Sequence, residues 1–89
     1  MRLILYAKPG CHLCEGLQEK LEQCLSGEDF KGVELILRDI TVREDWFEAY
    51  QYEIPVLARE IEEKERVLPR PSPRTSVRQL EKFLHKHGF

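Results

Sequence analysis

Two cysteines three residues apart, Cys11 and Cys14, sit in the stretch KPGCHLC at positions 8–14. A Cys-x-x-Cys pair can hold half of a metal site, exchange electrons as a dithiol, or do no chemistry at all. If a helix starts at this point, residues i and i+3 fall on the same side of its first turn. Their Cα atoms then come within the range that a disulfide bridges. The first turn also carries unpaired N–H groups and a positive partial charge, which favour a thiolate. The thiolate is the nucleophile in thiol–disulfide exchange, so Cys11 is the candidate attacking sulfur and Cys14 the candidate resolving one. His12 lies between them, either as a further stabiliser of the Cys11 thiolate when protonated or as an ordinary exposed helix residue.

Zinc is the competing chemistry. A structural zinc site takes four ligands, and the remaining candidates are Cys24, His85 and His87. Cys24 falls about three helical turns from Cys11, too far along the axis to share one ion with the pair. The two histidines end a different predicted element. No metal is therefore expected, and Cys24 reads as a core residue, because free cysteine is commonly buried.

Elements that could position the pair follow from periodicity. RLILY (2–6) is a short apolar run stopped by Lys8, Pro9 and Gly10, which predicts a buried strand. A helix is predicted over about 12–26, because Cys14, Leu17, Leu21, Cys24 and Leu25 recur at helical spacing. Ser26 and Gly27 end it. VELILRDI (33–40) predicts a second strand. Thr41 with Glu44 reads as a capping box opening a short helix, with Trp46, Phe47 and Tyr50 packing it down. Residues 54–68 predict a hairpin with a polar turn near Glu62, Glu63 and Lys64, Pro55 opening its first strand. In PRPSPR (69–74), Ser72 before Pro73 predicts the N-cap of a last helix, whose apolar stripe is Val77, Leu80, Phe83 and Leu84. His85, Lys86 and His87 suit its negative end, and Gly88 closes it. The order β-α-β-α-β-β-α predicts an α/β fold in which the first two strands are parallel, joined by a right-handed crossover.

Composition narrows the classes further. The chain has 89 residues, expected to form a single domain over 1–89. Hydrophobic residues make up 42% and charged residues 34%, with a net charge of −2, the balance of a globular protein with no long basic run. Nucleic acid is not an expected partner. No apolar stretch approaches the roughly 18 residues of a membrane span, and LILYA is too short for the core of a signal peptide. Three cysteines do not make a disulfide framework. The expected setting is the cytoplasm, and a monomer is the expected state.

The strand, KPGCHLC and the following helix resemble the glutaredoxin-like families of the thioredoxin-fold superfamily, in particular small bacterial proteins that share a KPGCHLC start and an IPVL strand. The resemblance runs through LILYAKPGCHLCEGLQEKL and RDITVREDWFEAYQYEIPVL into the hairpin and last helix. It implies a thioredoxin-like fold with a four-stranded mixed sheet flanked by helices. It also implies thiol–disulfide oxidoreductase activity in cell redox homeostasis with no bound cofactor. Its substrates would be protein disulfides or low-molecular-weight thiols, and glutathione or a thioredoxin-type reductase would supply electrons. By the resemblance, Lys8 helps bind glutathione, and Pro55 is a cis-proline beside the cysteines. The backbone of Ile54 then pairs with an extended substrate segment. Lys8 as a plain solvated loop lysine is the alternative. The chain departs from the family pattern in enclosing His-Leu between the cysteines and in carrying PRPSPR where glutaredoxins have a Gly-Gly turn. Glutathione is thus an open co-substrate, with Arg70 and Arg74 either a replacement anion site at the last helix or ordinary surface residues. The rival function is a non-catalytic binding or metal-carrying module on the same scaffold.

Overall fold

The computed structural model describes residues 1–89. The apolar run at the start forms β1 (Arg2–Ala7), which is buried on both faces because it lies inside the sheet. Side chains alternate across a strand, so Leu3 and Leu5 enter one core while Ile4 and Tyr6 enter another. α1 (His12–Leu25) follows, then a short 3₁₀ turn, β2 (Glu34–Asp39), a second 3₁₀ turn and α2 (Glu44–Tyr50). The chain ends with β3 (Val56–Ile61), β4 (Lys64–Val67) and α3 (Val77–Lys86).

The sheet order is β2-β1-β3-β4. β1 and β2 run parallel, as a helical crossover requires, while β1–β3 and β3–β4 are antiparallel. This is the four-stranded mixed sheet of the thioredoxin-like α/β fold. The hairpin turns on Glu62 and Glu63 alone, both in the left-handed region at φ 51° and 68°, the backbone that matches a two-residue turn to strand twist. β4 is exposed along its whole length and carries Lys64, Glu65 and Arg66, the charged pattern that protects a free sheet edge.

The two sheet faces are covered unequally. Leu3, Leu5 and Leu57 pack under α1 and α3, against Leu21, Cys24, Leu80 and Leu84. The predicted stripes on both helices are the ones buried: Leu17, Leu25, Val77 and Phe83 lie partly buried at the margin of that core. The opposite face holds Ile4, Tyr6, Ile40, Val56 and Ala58. Its lid is α2, only seven residues long and with no fully buried residue. Trp46 and Tyr50 reach this core, as four-apart residues on one helix face do. Phe47 does not: it follows Trp46 directly, turns away and stays exposed.

Two predicted helix starts are corrected. The last helix does not begin at Ser72–Pro73. Those residues form a turn in which the Ser72 hydroxyl accepts from the Arg74 amide and the Ser72 carbonyl from Thr75. The N-cap is Ser76, whose hydroxyl accepts from the Gln79 amide while the Gln79 side chain accepts from the Ser76 amide. This reciprocal capping box satisfies two orphan donors at once, which Ser72 with Pro73 cannot do. At the second helix, Thr41 and Glu44 form no capping box. Asp39 takes both the Thr41 amide and its hydroxyl, at 2.8 and 2.6 Å, and closes a 3₁₀ turn over Ile40–Val42. α2 then starts after Arg43 without a side-chain cap.

The corrected cap is tested by paired substitutions. Ser76→Ala should lower unfolding stability by about 1 kcal/mol, the usual worth of an N-cap. Ser72→Ala should change it by less than about 0.5 kcal/mol, as an ordinary surface substitution does. Urea unfolding followed by circular dichroism reads both, and the reverse ranking would restore the earlier helix start.

Candidate active site

The site is built where β1 leaves the sheet. Lys8, Pro9, Gly10 and Cys11 form a tight turn closed by the Cys11 amide on the Lys8 carbonyl at 3.3 Å. Proline presets the second position of such a turn, and the third needs positive φ; Gly10 has φ 81°. Nothing crowds the place of a Cβ at Gly10, so backbone conformation alone demands the glycine. The dipeptide Pro9-Gly10, which ends the strand in the sequence, is thus also the signature of the turn that delivers Cys11.

Cys11 is the N-cap residue of α1, in extended conformation. Its sulfur accepts from the Cys14 amide at 3.2 Å, so the first-turn N–H that a serine or aspartate usually satisfies is turned toward sulfur. Cys11 and Cys14 are joined as a disulfide, their Cα atoms 5.2 Å apart. Their exposures differ: Cys11 is half-buried and Cys14 is 2% exposed. Cys24, the remaining cysteine, is a buried free thiol whose sulfur donates to the Val77 carbonyl at 3.4 Å. Burial first, and the negative charge of Glu81 second, push its pKa up to about 11, so it stays a thiol at neutral pH. No group of three or more His, Cys, Asp or Glu side chains is arranged so that it could hold a metal ion.

Two recesses flank the pair. One is lined by His12, Leu13, Pro55 and Arg70, with Lys20 and the segment Pro71–Pro73 behind them. The other, about 250 Å³, is bounded by Lys8, Cys14, Gln18, Leu37 and Arg38. The predicted site residues are thus divided between two sides of the disulfide: His12 and Pro55 on one, Lys8 on the other. The His12 side chain is 94% exposed, with Nδ1 3.6 Å from the Glu15 carboxylate. Its contact is that carboxylate.

The Ile54–Pro55 peptide bond is cis. Pro55 is buried and Ile54 half-buried. The backbone of Ile54 is already engaged: its amide donates to the Tyr50 carbonyl at 3.1 Å, and its carbonyl accepts from Arg70 Nη2 at 3.2 Å. Only one lone pair of that carbonyl remains for an outside donor. Arg70 therefore serves the loop beside Pro55 with one of its N–H donors. Arg74 does not line the recess, and the first turn of α3 is closed by Ser76.

Behind the second recess lies a network that sequence reasoning missed. The Tyr6 hydroxyl, on the buried strand β1, donates to Glu65 at 2.6 Å and accepts from Arg38 at 2.7 Å. Arg38 and Glu65 are also directly paired. The Arg38 guanidinium lies 5.2 Å from the Trp46 ring centroid, and Tyr6 packs edge-on to Trp46 and tilted against Tyr50. The triad ties β2 and β4 to β1 under the thin lid. Only the pairing of Tyr6 with Arg38 across β1 and β2 is local; Glu65 arrives from a strand two places away.

Fold and disulfide together define a thioredoxin-fold protein with a Cys-x-x-Cys pair at a helix start. Residues 2–85 match the family model described as Glutaredoxin-like domain (DUF836), and the chain belongs to that family. Among solved structures it is similar to an X-ray structure of the Northeast Structural Genomics target protein XcR50 from X. campestris. The two are 26% identical, with a TM-score of 0.63, over 94% of this chain and 96% of that one. It is also similar in fold to thioredoxin 1 from Thermosipho africanus TCF52B, with 12% identity and a TM-score of 0.65 over 98% of this chain and 93% of that one. No curated protein sequence matches it. A disulfide-forming pair on this fold is consistent with a redox function. No helix is long and apolar enough to cross a membrane.

The network makes a pH prediction. Burial raises the pKa of Glu65, but the hydrogen bonds from Tyr6 and Arg38 outweigh it, and the carboxyl is held below its usual value. Burial, then the hydrogen bond to Glu65, pushes Tyr6 up to about 12. A carboxyl held low when folded gives stability that is present above the ordinary glutamate pKa of about 4.3 and lost as pH falls through the folded value. A phenol held high gives stability that is full below about pH 10 and lost as pH rises toward the folded value. Unfolding stability should therefore fall on both sides of neutrality, and Glu65→Gln should shrink both falls. A residual acid limb should remain from Asp39 and Asp45, held low by hydrogen bonds from Thr41 and Arg43. Thermal unfolding from pH 3 to 11 measures this; identical profiles for the two proteins would contradict it.

Proposed function

We propose that the protein is a thiol–disulfide oxidoreductase in which Cys11 attacks and Cys14 resolves. The observation that carries this reading is the asymmetry of the joined pair: one sulfur half-exposed at a helix N-cap, the other buried one turn later. An external disulfide can reach the first but not the second. In the reduced enzyme the Cys11 thiolate, stabilised by the Cys14 amide and the first turn of α1, attacks one sulfur of a substrate disulfide. A Cys11–substrate bond forms, the substrate S–S bond breaks, and the other substrate sulfur leaves and takes up a proton. The Cys14 sulfur, having given up its proton, then attacks Cys11 and expels the second substrate thiolate, which is protonated in turn. The enzyme ends as the Cys11–Cys14 disulfide, having passed two electrons to the substrate.

Glutathione, or the dithiol of a thioredoxin-type reductase, returns the electrons. The substrates are disulfide-containing proteins or low-molecular-weight disulfides, handled by a monomer in the cytoplasm without a bound cofactor. Pro55 forms the wall against which an extended substrate segment lies, and Leu13, 52% exposed, offers it an apolar lip. The docking bond at Ile54 is one donated to its carbonyl, because its amide is occupied by Tyr50. Lys8 supplies positive charge on the Cys14 side of the pair, where the leaving thiolate of a small anionic thiol would be held.

Substitution separates the two roles. Cys11→Ser should reduce insulin-disulfide or mixed-disulfide reduction to background while circular dichroism shows an unchanged fold. Cys14→Ser should still attack but accumulate a stable mixed disulfide on Cys11, visible by intact mass as the added thiol. Full activity in Cys11→Ser would sink the proposal.

A further inference from the structure

A second cluster lies at the other end of the sheet. Val56 of β3 pairs with Tyr6 near the cysteines, whereas Arg59 pairs with Leu3 toward the far end. There one cavity of about 380 Å³ is lined by Arg59, Arg66 of β4, and Lys86 and His87 at the end of α3. Arg59 and Arg66 are direct partners in the β3–β4 ladder. Directly opposed residues share a sheet face, where like charges repel. None of the four basic side chains is in an ion pair; those of the chain involve Arg2, His12, Lys31, Arg38, Arg43 and His85.

Arg59 is the most constrained of the four. Its Nε is buried and has no hydrogen-bond partner, a costly state for a charged donor. The guanidinium is held in place nonetheless. The Phe89 ring centroid lies 5.5 Å from it. Gly88, at φ 91°, lies so close that a Cβ there would come within 2.6 Å of Nη1. The negative end of α3 is muted, because the amides of His87, Gly88 and Phe89 bond the carbonyls of Phe83, His85 and Leu84. Repelling cations without ion pairs and a capped helix end describe a site that lacks its counter-charge.

We infer that this cavity binds a phosphoryl group. Its cations come from three separate elements, so their donors approach from different directions. A tetrahedral oxyanion accepts from several directions at once, whereas a carboxylate suits a single guanidinium fork. The bound anion relieves the Arg59–Arg66 repulsion and sits within a ring of three permanent charges. This site is independent of the cysteine chemistry, and its failure would leave that proposal standing.

The test is a ¹⁵N NMR titration of the full chain with inorganic phosphate and, separately, with glycerol phosphate, against sodium chloride at matched ionic strength. Saturable shifts at the amides of Arg59, Arg66, Lys86 and Gly88 are expected with phosphate or its ester and not with chloride. The tighter of the two shows whether the natural ligand is free or esterified. Arg66→Gln, on the exposed edge strand, should weaken binding about tenfold, as loss of a charge-assisted hydrogen bond does. It should also raise the melting temperature of the anion-free protein, because it removes the opposed charge. Shifts that chloride reproduces, or binding that Arg66→Gln and Lys86→Gln leave unchanged, would overturn the inference.

Discussion

The hydrogen bond from the Cys14 amide to the Cys11 sulfur ties the chemistry of this protein to its fold. One atom both caps a helix and serves as the candidate nucleophile. The contact exists only because α1 starts where it does, and that start is fixed from both sides. Upstream, the doubly buried strand β1 ends in the Pro9-Gly10 turn, which delivers Cys11 in extended conformation. Downstream, Leu21 and Cys24 anchor the helix in the main core, so the first turn cannot rotate without breaking that packing. Cys14 then has to face inward, and Cys11, three residues earlier and outside the helix proper, does not.

The two sides of the pair do different work. The recess with Pro55 is shaped by backbone: a cis peptide bond, a carbonyl held by Arg70 and a run of prolines. The recess with Lys8 is rimmed by charged side chains and backed by the Tyr6–Arg38–Glu65 network, which binds three strands beneath a helix of seven residues. That short lid leaves the second core thin, and Trp46, with Tyr6 edge-on and the Arg38 and Arg43 guanidiniums over its ring, adds to its cover. Charged and aromatic groups thus perform on this face what leucines perform on the other.

The strands and the apolar stripes of α1 and α3 were legible because burial writes itself into local periodicity. LILY is continuous since both its faces are covered, and Leu21, Cys24, Leu80 and Leu84 recur at helical spacing since only one face of each helix is. What local pattern cannot decide is competition between equally good neighbours. Ser72-Pro73 and Ser76 with Gln79 are both helix openings; the second wins because it satisfies two donors and because α3 must begin where Val77 meets Cys24. Asp39 likewise outcompetes Glu44 for Thr41 by being two residues away on a strand end. Glu65 was invisible as a partner of Tyr6, 59 residues away, because only the sheet order brings them together. The occupied amide of Ile54 is a local contact, four residues from Tyr50 at the end of α2, but periodicity places a helix end only to within a turn and so does not say which amide meets the last carbonyl.

The central claim is that Cys11 and Cys14 act as one reversible two-electron unit while Cys24 does not take part. The most direct measurement equilibrates the protein across a series of glutathione redox buffers, traps free thiols by alkylation and reads the products by intact mass. The account predicts that Cys11 and Cys14 gain or lose their alkyl groups together along a single two-electron curve, with Cys24 a thiol throughout. A lasting glutathione adduct on Cys11, a Cys24 that titrates with the pair, or thiols that react only after a chelator is added would contradict it.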